Sequence, residues 1–283
     1  LKVPDDFFQL SQSISFQYYN LNNYFTGLFT FGDGEANNLA YTVSLSRDNT
    51  RINPIFPTGG SSFNISAKFT PPYSLFTGRD FSNLENLPEF QDSNGNPLIA
   101  LIDQEKFKWL EFYKVKFNGT WYTKIFADLV LKTQADFGFI GTYNQSRGNI
   151  PFERFFLGGD GMVNYALDGR ENIALRGYPN QSLSNRDGSV IYNKFSLELR
   201  YPITLKPSAS IYALTFLEAG NGYDSFRTFD PFNSKRSAGA GVRIFMPAFG
   251  LLGIDFGYGF DNPNPNTFTP NGWETHFVIG QRF

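Results

Sequence analysis

The sequence predicts an all-β protein, a transmembrane antiparallel β-barrel, and three observations carry that expectation. Segments of about ten residues alternate in polarity and are separated by turn residues, as membrane-spanning strands do. The chain of 283 residues contains 33 Phe and 15 Tyr, 18% aromatic residues in all, yet its mean hydropathy is only -0.29. Large apolar rings without overall hydrophobicity suit strands with one greasy and one polar face. The polar faces of the last strands are mostly Gly, Ser and single charges, while their apolar faces are nearly uninterrupted. Apolar outside and polar inside is the reverse of a soluble barrel, and only a closed barrel satisfies every strand backbone in lipid. A soluble β-sandwich also alternates and stands as the alternative, although its outer surface is usually rich in charge.

The clearest strands lie in the last third. In 191–201, Ile191, Asn193, Phe195, Leu197, Leu199 and Tyr201 share one face, and Tyr192, Lys194, Ser196, Glu198 and Arg200 the other. In 236–246, Ala238, Ala240, Val242, Ile244 and Met246 alternate with Ser237, Gly239, Gly241 and Arg243. In 251–260, Leu252, Ile254, Phe256, Tyr258 and Phe260 alternate with Gly253, Asp255, Gly257 and Gly259. The final run places Phe277, Ile279 and Phe283 on one side, where a terminal ring suits a membrane interface. Earlier segments repeat the pattern at 11–20, 39–49, 61–70, 107–122, 126–141 and 208–220. This gives about ten strands, and no segment has a helical period. Turn chemistry separates them at 57–60, 93–97, 185–188 and 262–266.

Residues 142–187 are too long for a turn. Loops of this length without regular structure are commonly functional. The segment carries Arg154, Asp160, Asp168, Arg170, Glu171 and Arg176, and also Phe152, Phe155, Phe156, Leu157, Leu175 and Tyr178. Those apolar side chains predict packing, and a fold back into the barrel lumen provides it. A lumenal arginine needs an acidic partner or abundant water. Glu198 lies on the polar face of its strand. Glu218 shares a face with Leu214 and Phe216, so parity leaves its direction open. If both point inward they clamp Arg176 through charge-assisted bonds.

Several chemistries have little support. A net charge of -2 provides no pull toward nucleic acid. The absence of cysteine excludes disulfides and thiolate metal sites, and one histidine, His276, makes a poor metal centre, so no metal and no cofactor are expected. There is no GxSxG elbow, P-loop or dinucleotide fingerprint, and an enzyme is not expected. His276 reads as a polar interface residue. No stretch of 18 apolar residues occurs and no secretory leader opens the chain. Neither fact bears on a β-barrel.

The motif at 175–178, Leu175, Arg176, Gly177 and Tyr178, resembles the Val-Arg-Gly-Phe/Tyr signature in the lid loop of the BamA family, the outer-membrane β-barrel assembly factors. Five further segments resemble that family in the same order: 47–66, 150–159, the strands around Glu198 and Glu218, 235–260, and the end of the chain, which resembles the C-terminal β-signal. The wording of 156–220 is most similar to family members from the Bacteroidota. The resemblance runs from about residue 40 to 283. It implies a sixteen-stranded barrel preceded by POTRA domains, with this chain (1–283) as the C-terminal part of the barrel, roughly strands seven to sixteen, and the lid loop at about 142–187. POTRA-like segments are absent here, and 160–174 is longer than in many relatives. The resemblance further implies that Arg176 engages Glu198 and Glu218, that Gly177 allows a tight turn, and that Tyr178 packs on the inner wall. Phe277, Ile279, Gly280 and Phe283 become the β-signal and gate strand. The implied role is central subunit of the outer-membrane β-barrel assembly machine, inserting client barrels through a lateral gate. The implied partners are client outer-membrane proteins, accessory subunits including lipoproteins, and outer-membrane lipid, in the bacterial cell outer membrane, with no nucleic acid. A related TamA-type or two-partner secretion pore, or a passive porin, is the alternative.

Overall fold

In the computed structural model ten strands pair into one antiparallel sheet in strictly sequential order. The structure describes residues 5–23, 31–50, 55–162, 169–206, 208–264 and 266–280, so the expected role of Phe283 lies outside the described residues. The first half of the sheet comprises β1 (Phe8–Leu21), β2 (Gly34–Asp48), β3 (Gly59–Phe69), β4 (Tyr113–Phe126) and β5 (Leu129–Gly141). Two short strands, β6 (Phe155–Leu157) and β7 (Glu171–Ile173), pair in parallel with each other inside the long loop. The second half comprises β8 (Ile191–Lys206), β9 (Ala209–Tyr223), β10 (Lys235–Met246), β11 (Gly250–Gly259) and β12 (Gly272–Ile279). Among the described residues, β1 and β12 each have one neighbour and do not pair with each other.

Register sets the two faces, because one residue of slip would turn every side chain over. Along β8, Phe195, Leu197, Leu199 and Tyr201 are exposed, while Lys194, Ser196, Glu198 and Arg200 are buried. Ile244 and Phe256 continue the exposed apolar wall, and Arg243 and Asp255 the buried polar one. Pro202, which has no N–H for the ladder, sits where the β8–β9 register shifts, a site that tolerates it.

The sheet curls around the long loop, as the loop's own contacts require. Glu153 in the loop accepts from Asn38 of β2 and pairs with Lys68 of β3 and Lys114 of β4. Further along, the loop meets β8, β9, β10, β11 and β12. No flat sheet brings one segment to all of these strands. Phe152, Phe155, Phe156, Leu157, Leu175 and Tyr178 join one buried cluster with Ile140, Val190, Tyr192 and Tyr223. A second cluster forms further down, where Phe56, from the β2–β3 connection, packs with Val130, Tyr212, Leu214 and Phe216. The inward face of β9 is therefore apolar because another segment fills the space against it.

The structure departs from the sequence expectation in two places. Residues 107–112 do not begin a strand. They end α2 (Ile99–Phe107) and lead up to β4, burying Phe107, Leu110 and Phe112 in the loop cluster. This helix and the single-turn α1 (Ser74–Thr77) lie in the β3–β4 connection. In α2 only Ile102 and Phe107 are buried, while Ile99 and Leu101 are exposed, and no side chain caps its N-terminus. Such a helix carries no amphipathic period for a sequence reading to find.

On one side lie the Ala127–Asp128 turn, the short links from β8 to β9 and from β10 to β11, and the longer β2–β3 connection that carries Phe56; on the other lie the long β3–β4, β5–β8, β9–β10 and β11–β12 loops. The cysteine-free chain allows a direct check of the wall. Single cysteines carrying a fluorophore at 195, 197 and 199 should be quenched by spin-labelled lipid, and those at 196 and 198 should not. Uniform quenching along β8 would mean that the strand has no lipid-facing side.

Candidate functional site

Three neighbouring regions of the sheet aim carboxylates at one point. Glu198 and Glu218 are inward on β8 and β9, and Asp255 is inward on β11. The loop delivers Arg176 between them. Its Nη2 donates to Glu218 at 2.6 Å and to Glu198 at 2.8 Å, and its Nη1 donates to Asp255 at 3.2 Å. The other oxygen of Glu218 accepts from the Arg176 backbone N–H at 2.8 Å. The guanidinium carbon lies 3.7 Å from the Phe216 ring centroid, a cation–π contact on the remaining side. Burial works against the charge, but Glu218, Glu198 and Asp255 outweigh it and hold Arg176 more firmly protonated than an ordinary arginine.

Each acid also has a cation of its own from the sheet. Arg200 donates twice to Glu198, at 2.8 and 2.6 Å. Arg243 forms a two-pronged pair with Asp255, both bonds 2.7 Å. Lys194 lies 3.5 Å from Glu218 and donates to the Ala174 carbonyl in the loop at 2.6 Å. Among the described residues four cations thus lie in ion-pair contact with these three carboxylates, and Arg176 is the one that touches all three. The guanidinium spreads these bonds over two nitrogens held rigidly in one plane.

Gly177 follows with φ +87°, a region that favours glycine. A Cβ there would meet the Ser237 Cβ at 2.8 Å and backbone atoms of Tyr258 and Gly259 at 3.1 Å. On the facing strand, a Cβ on Gly257 would lie 2.7 Å from the Gly177 nitrogen. Loop and wall therefore meet backbone to backbone, and glycines are needed on both sides. Tyr178 is fully buried, and its hydroxyl donates to the Arg236 carbonyl at 2.6 Å. Burial pushes that phenol up to about 12. Leu175 is fully buried in the loop cluster.

The loop also holds the last strand. The Gly177 N–H donates to His276 Nε2 at 2.8 Å, and Asn271 donates to the Gly177 carbonyl at 3.0 Å. A backbone N–H can only donate, so Nε2 must be the unprotonated nitrogen of that imidazole. His276 is buried on the inner wall, which corrects its reading as a polar interface residue. Gly280 donates to the Leu251 carbonyl, so in this register Phe277 is a non-bonded partner of Ile254 and its N–H points to the outer edge. That N–H donates to Asp160 of the loop at 3.4 Å. Phe277 and Ile279 are exposed on the wall, and Gly280 follows with φ +96°.

The structure therefore brings Leu175, Arg176, Gly177 and Tyr178 together with Glu198 and Glu218. Sequence reasoning missed Asp255, Arg243, Arg200, His276, Asn271 and Asp160 as members of the same site. A second set of charges, Lys68, Lys114 and Lys116 around Glu153 and Glu171, docks the first part of the loop. For Glu171, burial opposes ionisation, but Lys114 and Lys116 prevail and hold its carboxyl below the usual range.

Residues 7–283 match the model of the Omp85 superfamily domain. The chain belongs to the Omp85 superfamily. Among solved structures it is similar to BamA from Haemophilus ducreyi lacking POTRA domains 1-3, at 16% identity and a TM-score of 0.62, covering 97% of this chain and 51% of that one. It is also similar to CdiB from Escherichia coli, at 14% identity and a TM-score of 0.52, covering 98% of this chain and 42% of that one. The chain thus spans about half the length of the BamA structure, with the fold of its barrel. No curated protein matches the sequence significantly.

Two substitutions separate the charge from the close approach. Arg176→Met should destabilise the folded protein by about 3 kcal/mol, because three acids lose their shared cation while each keeps another. Gly257→Ala should cost about 2 kcal/mol through overpacking alone. Both are read as a lower temperature for loss of the folded band in heat-modifiability gels. An unchanged transition for both would mean the loop is not held at this site.

Proposed function

We propose that this chain is the C-terminal part of a BamA-type barrel that folds and inserts client β-barrel proteins into the bacterial outer membrane. The lid is the long loop, and the working edge is β12. The observation that supports this reading best is the way β12 is held. Its inner side is bonded to the loop through His276 and Asn271, and at Phe277 the N–H of its outer edge donates to Asp160 of the same loop. A strand edge with free N–H and C=O groups is a template for another strand. A client's terminal strand pairing there would replace the Asp160 bond with a ladder of backbone bonds.

The wall beside this edge is short. Strand lengths fall from 16 residues in β8 to 15, 12, 10 and 8 through β9, β10, β11 and the described part of β12. A membrane-spanning strand needs about 9–11 residues. A wall that shortens toward the working edge favours a locally thin bilayer there, which reduces the cost of passing polar groups through it. In this reading no covalent chemistry occurs, and the chain is not an enzyme. The long loops face outward and the short turns face the periplasm, the usual arrangement of outer-membrane barrels. POTRA domains precede the barrel, accessory subunits including lipoproteins assist it, and clients arrive from the periplasmic side.

A TamA-type or two-partner secretion pore is the second reading, favoured by the similarity to CdiB. A passive porin fits poorly, because two buried clusters occupy the interior.

The test traps a client on the edge. A cysteine at Ile279 of the full-length protein in its native membrane should form disulfides with cysteines in the last strand of a nascent client barrel. Depletion of the protein should lower the level of assembled barrels. Depletion that leaves barrels intact but blocks secretion of a soluble partner would select the pore reading. For the bond between Gly177 and His276, His276→Ala should loosen β12 from the loop and speed client release, whereas His276→Gln, which keeps an acceptor, should restore most of the wild-type rate.

A further inference from the structure

One buried carboxylate stands on the lipid-facing side of the wall. On that face Phe137 of β5 meets Phe195 edge-on at 5.4 Å. Phe139 shares the face by alternation, and Tyr113 of β4 meets Phe139 at 6.3 Å and Tyr143 at 5.5 Å. Tyr113 therefore points outward, and Phe112, buried in the loop cluster, points inward. The ladder continues one step beyond β3 and β4, where the Thr70 N–H donates to the Phe112 carbonyl at 3.1 Å. Alternation thus carries Glu111 to the outside, beside tyrosines of the kind that mark a membrane interface. Yet Glu111 is fully buried.

Its cover comes from two connections. Ser74, the first residue of α1, donates its backbone N–H at 2.7 Å and its hydroxyl at 2.9 Å. Arg147, from the start of the long loop, donates Nη1 at 2.6 Å. Arg147 also donates to the carbonyls of Lys106 and Trp109, and its guanidinium lies 5.0 Å from the Phe81 ring centroid. Tyr73 rests on Trp109, with centroids 4.8 Å apart. The α1 turn is therefore a short excursion pinned at Ser74 and again at Phe81. It lies on the membrane side of the wall, because the carboxylate that it covers faces that way. Between the pins, Leu75 and Phe76 are 76% and 78% exposed. Phe69, in register with Tyr113 at the end of β3, is exposed on the same wall just before the turn.

We propose that α1 is an in-plane membrane anchor, with Leu75 and Phe76 inserted among the acyl chains of the leaflet on the side of the long loops. Two large apolar side chains held in water forgo the free energy that hydrocarbon gives them. Interfacial segments bind lipid through apolar side chains of this kind. Lipid is the occupant rather than a second protein for two reasons. The tip continues the apolar surface of Phe69 and Tyr113, and two side chains on one turn offer far less area than a specific protein–protein interface buries. The Ser74–Glu111–Arg147 contact then ties the start of the long loop to that leaflet.

The inference rests on the lipid-facing wall and not on the insertase reading. Its test uses the full-length protein in vesicles of phosphatidylethanolamine and phosphatidylglycerol, carrying a single fluorophore through Leu75→Cys, Phe76→Cys, Asn94→Cys or Phe195→Cys. One quencher is a lipid with a nitroxide on the upper acyl chain, and the other is aqueous iodide. Labels at 75, 76 and 195 should be quenched by the lipid and shielded from iodide. The label at 94, exposed in the same connection, should show the reverse. Glu111→Gln should shift the label at 76 toward the behaviour of 94, with Ser74→Ala in reserve, and each variant is checked for heat-modifiability. Iodide quenching at 75 and 76, with lipid quenching retained at 195, overturns the anchor alone. Loss of lipid quenching at 195 as well overturns the wall on which the barrel reading also stands. Shielding of 76 from both quenchers, with a crosslink from it to a second protein, overturns lipid as the occupant. Unchanged lipid quenching at 76 in folded Glu111→Gln protein overturns Glu111 as the seat of the turn.

Discussion

A guanidinium withdrawn from water has to be met by anions, and here three strands converge to supply them. Arg176 bonds to Glu198, Glu218 and Asp255, and much of the surrounding structure follows from seating it. With its side chain in the cluster, the next residue is pressed against β11 at backbone distance. That contact requires glycine at 177 and at 257, and it turns Tyr178 into the wall, where its hydroxyl finds the Arg236 carbonyl. The apolar part of the loop is then committed to the interior and forms the larger cluster with Ile140, Val190, Tyr192 and Tyr223. Removing the arginine would not strand the acids, since Arg200, Arg243 and Lys194 remain. It would release the 175–178 end of the loop, while Glu153 and Glu171 still dock its first part.

The inner wall changes character along its length. At the level of Arg176 the inner wall carries charge; further along β9 it carries Tyr212, Leu214 and Phe216, covered by Phe56. Phe216 belongs to both regions, with one side of its environment apolar and its ring under the guanidinium. The lumen is thus occupied by segments from both ends of the sheet. Few of its inner side chains depend on bulk water, and the buried charges are held by one another, as charges away from water must be.

Alternation made the wall legible. Phe195, Leu197, Ile254 and Phe256 stand on one side of their strands in the sequence and on the outer wall in the structure. The same parity placed Arg200, Arg243 and Asp255 on the inner side, but parity says nothing about which strands face each other, so their convergence on one loop residue was not visible. Glu218 was ambiguous because its neighbours Leu214 and Phe216 are apolar, and only the cover supplied by Phe56 explains why apolar residues point inward. His276 alternates with Phe277 and so carried an inward signal, but its partner is a backbone N–H, which leaves no trace in a sequence. Helix α2 was illegible for a different reason: it buries too few side chains to impose a period.

The loop grips different parts of the sheet with unequal strength, and the inequality has a direction. On β8, β9 and β11 its bonds are between buried full charges at 2.6 to 3.2 Å. On β12 they are weaker in kind: a neutral imidazole, a neutral amide, and an exposed carboxylate at 3.4 Å. Hydrogen bonds between ions are roughly twice as strong as neutral ones, and exposure weakens the Asp160 contact further. Any disturbance at the edge therefore breaks the β12 contacts before the arginine cluster. A strand joining at Phe277 has only to displace Asp160, and β12 can shift away from Gly177 while Arg176 stays seated. In the insertase proposed above, this inequality would let the loop remain in place while the strand beside it changes partners.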